Sequence, residues 1–143
     1  MADYTITASE VTPGSGAVIA YALAGEAVAA GEAIYLDASD NNEAKLALAA
    51  GTAAQAAVAG IAINSAAAGQ TVGYVKQGDV NLDTAALTGA GKGEVTSLST
   101  TAGKICPNED VASGEYVTVI GTMKTSNPGV LTVSIIQSGV THV

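Results

Sequence analysis

Phenylalanine and tryptophan are both absent from this 143-residue chain, and five tyrosines are its entire aromatic content. A core without large rings is assembled from small pieces, here mainly alanine, valine and glycine. Each removes less apolar surface from water than a phenylalanine or leucine would. Such a core gains from further burial against sister subunits or a larger partner. Arginine is missing too: the five basic residues are all lysine, against 13 acidic ones, for a formal charge of −8. Nucleic acid binding needs a clustered positive surface and draws affinity from displaced phosphate counterions, so no nucleic acid partner is expected. The same sign disfavours anionic membrane surfaces.

Cys106 stands alone, which excludes an intramolecular disulfide and any multi-cysteine zinc site, and it reads as a small buried hydrophobe rather than a reactive thiol. The apolar stretch "GAVIAYALAGEAVAAG" (16–31) is broken by Gly25 and Glu26 well short of the roughly 20 residues a membrane span requires. The opening "MADYTITASEV" has neither a basic leader nor an apolar signal core, so secretory export is not expected.

What the chain does have is alternation. In "GVLTVSIIQSG" (129–139), Leu131, Val133 and Ile135 alternate with Thr132 and Ser134, and in "GEYVTVIGTMKT" (114–125), Val117, Val119 and Met123 alternate with Thr118 and Thr122. Both have the period of two that marks a strand with distinct faces. Between them lies "SNPG", where Pro128 and Gly129 suit the central positions of a type II turn, so the pair predicts a hairpin.

The same plan occurs earlier in "VAGIAINSAAAGQTVGYVKQGDV" (58–80), and the two regions belong to an internal repeat. "GEAIYLD" at 31 answers to "GEVTSLS" at 93, an offset of 62. "AKLAL" matches "GKICP" through Lys45 and Lys104, an offset of 59. "GIAIN" at 60 matches "GTMKT" at 121, and Gly78 of "VKQGDV" matches Gly139 of "IQSGVT", both at 61. The expected fold is all-β: a compact β-barrel or β-sandwich-like domain of two repeated β units, with an extended N-terminal arm and at most short helices. The arm spans residues 1–16 and holds a short strand, "YTIT". The β domain spans 17–143, with repeat 1 at about 25–82, a linker at 83–92 and repeat 2 at about 93–140. The Ala-rich segment "EAKLALAAGTAAQAA" is expected to hold a helical turn or two, and 83–87 a short helix.

Templates for chemistry fail at identifiable positions. "GAGKG" (89–93) lacks the first glycine of a phosphate-binding loop, which would be Ala86, and has Gly93 where Ser or Thr is needed. "GSGAVI" (14–19) lacks the third glycine of a dinucleotide fingerprint. An EF-hand started at Asp40 puts Lys45 in place of the glycine and Gly51 in place of the bidentate glutamate, so "DASDNNEAK" (37–45) reads as a polar hairpin tip. His142, the only histidine, is penultimate and reads as part of a frayed end. Glu32 and Glu94 fall at matching repeat positions, which suits an acid and base pair less well than solvated charges that blunt strand edges. No catalytic residue, cofactor site or metal site is assigned, and the chain is not expected to be an enzyme.

The phrases "GEAIYLD", "VAGIAINSAAAGQTVGYVKQGDVNLD" and "LSTTAGKICPNEDVASGEYVTVIGTMKTSNPGVLTVSIIQSGV" give the chain, over roughly residues 25–140, a pattern that resembles the head decoration, or capsid cement, proteins of tailed bacteriophages. The resemblance implies a protein made in the host bacterial cytoplasm that sits on the outer surface of the virion. It also implies that the protein trimerises and stabilises the lattice of the major capsid protein at three-fold or quasi-three-fold positions. On that reading Tyr4, Thr5, Ile6 and Thr7 are the candidate capsid or subunit contacts, adding as a strand to an exposed sheet edge. Other classes stay open: a head fibre or tail-tube component, or a β-structured adhesin or carbohydrate-binding module, the last disfavoured by the scarcity of aromatics.

Overall fold

Residues 3–143 are described by the computed structural model. The strands in chain order are β1 (Thr12–Pro13), β2 (Val18–Leu23), β3 (Ala33–Asp37), β4 (Glu43–Leu46), β5 (Gly60–Ala62), β6 (Thr71–Asp83), β7 (Val95–Leu98), β8 (Ile105–Pro107), β9 (Tyr116–Ser126) and β10 (Gly129–Thr141). They pair antiparallel into one curled sheet that forms a half-barrel. Among the described residues the helical content is two three-residue 3-10 turns, at Ala8–Glu10 and Asn108–Asp110. The all-β expectation holds.

The register shows the repeat strand by strand. In the first half Ala33 faces Ile61 and Ile34 faces Gly60; in the second Val95 faces Thr122 and Thr96 faces Gly121. Ile34 faces Leu46 as Thr96 faces Pro107, and Leu36 faces Ala44 as Leu98 faces Ile105. So Lys45 corresponds to Cys106 and not to Lys104, and the lysine match in the sequence is two residues out of register. In β6 and β10, Tyr74 faces Ala62 as Leu131 faces Met123, an offset of 57. Register shifts within β10 insert one residue between Val133 and Ile136 and two between Gln137 and Thr141, which moves the offset back towards the 61 that separates Gly78 from Gly139.

The equivalence extends to β2. Tyr21 pairs with Gly73 and Ala20 with Tyr74, just as Asn81 pairs with Val130 and Val80 with Leu131. The second half of β6 is therefore the counterpart of β2. This one 13-residue strand closes the first five-stranded unit with residues 71–77 and opens the second with residues 78–83. Gly78, at φ +92°, lies where it passes from one to the other.

A recurring turn delivers the chain into these strands. Ala29–Glu32, Ala67–Gln70, Gly91–Glu94 and Ala112–Glu115 each put a glycine of positive φ third and return the fourth N–H to the first carbonyl. In each, the Glu or Gln side chain also accepts the N–H of the first residue, at 2.7–3.3 Å. The glycine supplies the conformation and the side chain locks it. The paired carboxylates Glu32 and Glu94 thus fasten turns rather than blunt edges as solvated charges. Glu32 keeps a side-chain exposure of 13%, and Glu115, which repeats the pattern, is buried.

Several local expectations change. The Ala-rich segment begins as β4 because Glu43–Leu46 pairs with β3. Its remainder makes two turns, one closed by Gly51 N–H on the Leu48 carbonyl and one in which Thr52 and Gln55 bond to each other's backbone, and neither extends into a helix. Residues 83–87 are not helical. The β9–β10 hairpin forms, but Ser126 faces Gly129, so Asn127 and Pro128 are its central residues and the peptide between them is cis. Gly129 is needed there for space: a Cβ would lie 2.7 Å from that of Leu87. The alternation in β9 also changes phase at Gly121, where a bulge sits. Thr118 and Ile120 face inward before it and Met123 after it.

The core is made of small residues, as composition dictates. One cluster around Ile34, Ala44, Ala62, Val72 and Tyr74 fills the first unit, and a larger one around Ile61, Val80, Leu82, Leu98, Ile105, Ile120, Met123 and Leu131 joins the two. Main-chain bonds tie the units directly: Ala33 N–H to the Gly103 carbonyl, Gly103 N–H to that of Ala47, and Tyr116 N–H to that of Ala49.

Candidate functional site

The candidate contact segment, Tyr4 to Thr7, is placed against the chain's own domain. Tyr4 N–H donates to the Ile105 carbonyl on the outer side of β8 at 2.9 Å, and Thr5 N–H to the carbonyl of Thr88 at 3.1 Å. The Tyr4 side chain is 3% exposed, and its hydroxyl lies 2.7 Å from Glu94 Oε1 and 2.9 Å from Thr96 Oγ1. Burial pushes the phenol well above its ordinary value, so it remains a protonated donor. Ile6 packs on the core while Thr5 and Thr7 stay exposed. The expected "YTIT" strand is reduced to one bridge, Thr5 to Thr88, and Tyr4 is not available to an outside sheet. The physical reason is the edge of β8, which would otherwise present an unpaired carbonyl row. The first unit solves the same problem with Ala24–Gly25, which bonds to Ala44 on the outer side of β4.

With those two edges covered, two others are not. Among the described residues β2 pairs only with β6, and the terminal half of β10, beyond Val133, pairs only with β9. These uncovered segments hold five of the seven large hydrophobic side chains exposed among the described residues: Val18 (42% exposed), Tyr21 (69%) and Leu23 (52%) on β2, and Ile136 (64%) and Val140 (62%) on β10. Neither segment carries a charged residue or a proline, the usual devices that stop an edge from recruiting another strand. Sequence reasoning passed over both. In the sequence, residues 18–23 read as part of a stretch too short to span a membrane, although the charge-free "VIAYAL" is visible there.

The remaining candidates have structural explanations. Cys106 is fully buried, and burial, with the carboxylates of Asp3, Asp110 and Glu115 nearby, pushes its thiol up to about 12. It stays a thiol at neutral pH. The "DASDNNEAK" segment forms the β3–β4 hairpin tip: Asn41 and Asn42 adopt positive φ, and Lys45 bridges Asp37 at 2.9 Å and Asp40 at 3.0 Å. His142 is not frayed in its backbone, which exchanges bonds with Gly114 and Glu115 at 2.7 Å. Among the described residues no group of three or more His, Cys, Asp or Glu is arranged to hold a metal ion, and no helix is long and apolar enough to cross a membrane. A hollow lined by Glu94, Val95, Pro107, Asn108 and Glu109 has a volume of about 210 Å³, below the roughly 300–1,000 Å³ of small-molecule sites.

The chain matches no protein-family model and no curated protein. What it can do is therefore read from its own surfaces, and the two uncovered strand edges are the features that offer main-chain hydrogen bonds and apolar contact together.

Two aspartates make the fold sensitive to acid. Hydrogen bonds from Ser39 and then Lys45 hold the Asp37 carboxyl down at about 2. Lys124, at 2.8 Å, is the main cause of a lowered value at Asp79, with Thr132 donating as well. A carboxylate whose folded value is depressed contributes stability that is complete above its unfolded value, about 4, and is lost as pH falls through the folded value. The urea midpoint of unfolding is expected to hold from pH 7 to 5 and fall between about pH 4 and 2. Asp79→Asn is expected to make that fall smaller, and an equally steep decline in the variant would show that Asp79 takes no part in it.

Proposed function

We propose that this protein is a structural component of a tailed-phage virion, a decoration or cement protein that docks on the outer surface of the capsid and stabilises the lattice of major capsid protein. It acts as a homotrimer and performs no catalysis. The observation that carries this reading is the pair of uncovered, charge-free apolar edges on an otherwise well-sealed domain. They leave β structure to be completed by other protein chains. The phrases that resemble decoration proteins make up the scaffold behind those edges: "GEAIYLD" enters β3, and "VAGIAINSAAAGQTVGYVKQGDVNLD" runs through β5 and β6. A net charge of −8 without arginine suits a site on the outside of a shell, away from packaged DNA.

The mechanism is linkage. A protein that binds only the assembled shell adds its binding free energy to the stability of that shell. Several copies joined in one oligomer dock with avidity far above that of a single contact. The test is to mix the purified protein with phage heads that lack it and image them by electron microscopy while measuring the temperature at which they rupture. Added density on the outer surface together with a raised rupture temperature is the expected result. Bare heads with an unchanged rupture temperature overturn the reading.

A further inference from the structure

We propose that the two uncovered edges are each other's partners in a second copy of this chain: β2 of one copy adds as a strand to the terminal half of β10 of the next. This deepens the homotrimer of that reading by naming the surfaces through which its copies meet, and it rests on that reading only for its biological setting. Within one chain an edge of the β10 type accepts a strand of the β2 type twice, as residues 71–77 of β6 accept β2 and as residues 129–133 of β10 accept residues 78–83 of β6. The second seam continues directly into Ile135–Thr141, where β10 keeps β9 on one side and has no strand on the other. Among the described residues that stretch is where an edge of the β10 type is left open, and β2 offers the edge opposite its seam with β6, the edge whose counterpart in the second unit, at residues 80–81 of β6, is covered by β1. Their lengths agree, six residues in β2 and seven in Ile135–Thr141.

Charge argues for the same occupant. Two chains of −8 each repel, and they approach most cheaply through surface that carries none of it. Neither "VIAYAL" nor "IIQSGVT" holds a charge. The contact joins different patches of the two copies, so it runs head to tail and closes into a ring when the rotation between copies allows. Pairing would bury Val18, Tyr21 and Leu23 beside Ile136 and Val140, the apolar side chains the isolated fold leaves in water.

The test uses the full chain and two variants, Leu23→Lys and Ile136→Lys, each at an exposed position and each checked for a native circular dichroism spectrum. Light scattering after gel filtration is expected to give the parent protein a mass that is a whole multiple of 13.9 kDa, and each variant the mass of a single chain. An equimolar mixture of the variants is then expected to form a dimer and nothing larger, because the intact β10 of one meets the intact β2 of the other. A parent protein that stays a single chain at the highest soluble concentration overturns the proposal. So does association that survives in either variant, which would mean β2 on β2 or β10 on β10, and so does a mixture that stays monomeric. None of these readings involves a capsid, so failure here and failure of head binding are told apart.

Discussion

Tyr4→Ala is expected to destabilise the isolated domain by about 3–5 kcal/mol, the range for deleting a buried aromatic ring. Tyr4 closes the second unit. Its main chain caps the outer side of β8, its ring lies in the joint core, and its hydroxyl serves Glu94 and the fully buried Thr96. Alanine leaves a cavity and removes the partner of a buried hydroxyl at once. Tyr4→Phe separates the two effects: the ring remains, and the expected loss is about 1–3 kcal/mol from the orphaned polar groups alone. Against a total stability of roughly 5–15 kcal/mol the alanine variant loses a large fraction, measurable as a drop in urea midpoint. Deletion of residues 2–8 is accordingly expected to unfold the second unit, not to yield a folded domain without an arm. An alanine variant within 1 kcal/mol of the parent would show that Tyr4 is not part of the closed fold.

That result marks where the sequence could be read and where it could not. Strands with period-two alternation, such as Leu131–Val133–Ile135, appear where expected, and the duplication shows through the glycines and the Gly-Glu phrases at 31 and 93 even though only a few residues repeat. These signals are local, because side-chain alternation and turn chemistry act over a few residues. The fate of Tyr4 is not local. "YTIT" is an acceptable strand anywhere, and only the bare outer side of β8, about a hundred residues away, determines that Tyr4 is consumed there. The same holds for the open edges. Val18–Leu23 and Ile135–Thr141 look like ordinary strands, and they become candidate contact surfaces only because none of the described segments of the same chain pairs with their open sides. The Glu32 and Glu94 pairing was legible as a repeat, but its role required seeing the same carboxylate-to-N–H bond at Glu115 and its amide version at Gln70.

Gly78→Ala is expected to cost about 3–5 kcal/mol, and Gly139→Ala, at the matching position of the repeat, only about 1–2 kcal/mol. Both glycines have positive φ, +92° and +70°, so both substitutions bear the penalty of a left-handed conformation for an L-residue. They differ in what surrounds them. A Cβ at Gly78 would lie 2.2 Å from the Gly16 carbonyl oxygen and 2.8 Å from the Ala17 nitrogen, whereas at Gly139 nothing lies within 4 Å. The obstruction at Gly78 is backbone on both sides, which no rotamer change relieves, so β6 and the segment leading into β2 would have to separate. Because Gly78 sits where β6 leaves one unit for the other, separation there changes the angle between the units and shifts β2 relative to the terminal half of β10. The Gly78→Ala chain is therefore expected to lose self-association at temperatures where circular dichroism still reports a folded sheet. Equal unfolding midpoints for the two variants would mean that the bend in β6 is set by backbone conformation alone and that the contact with Gly16 contributes nothing to holding the units in place.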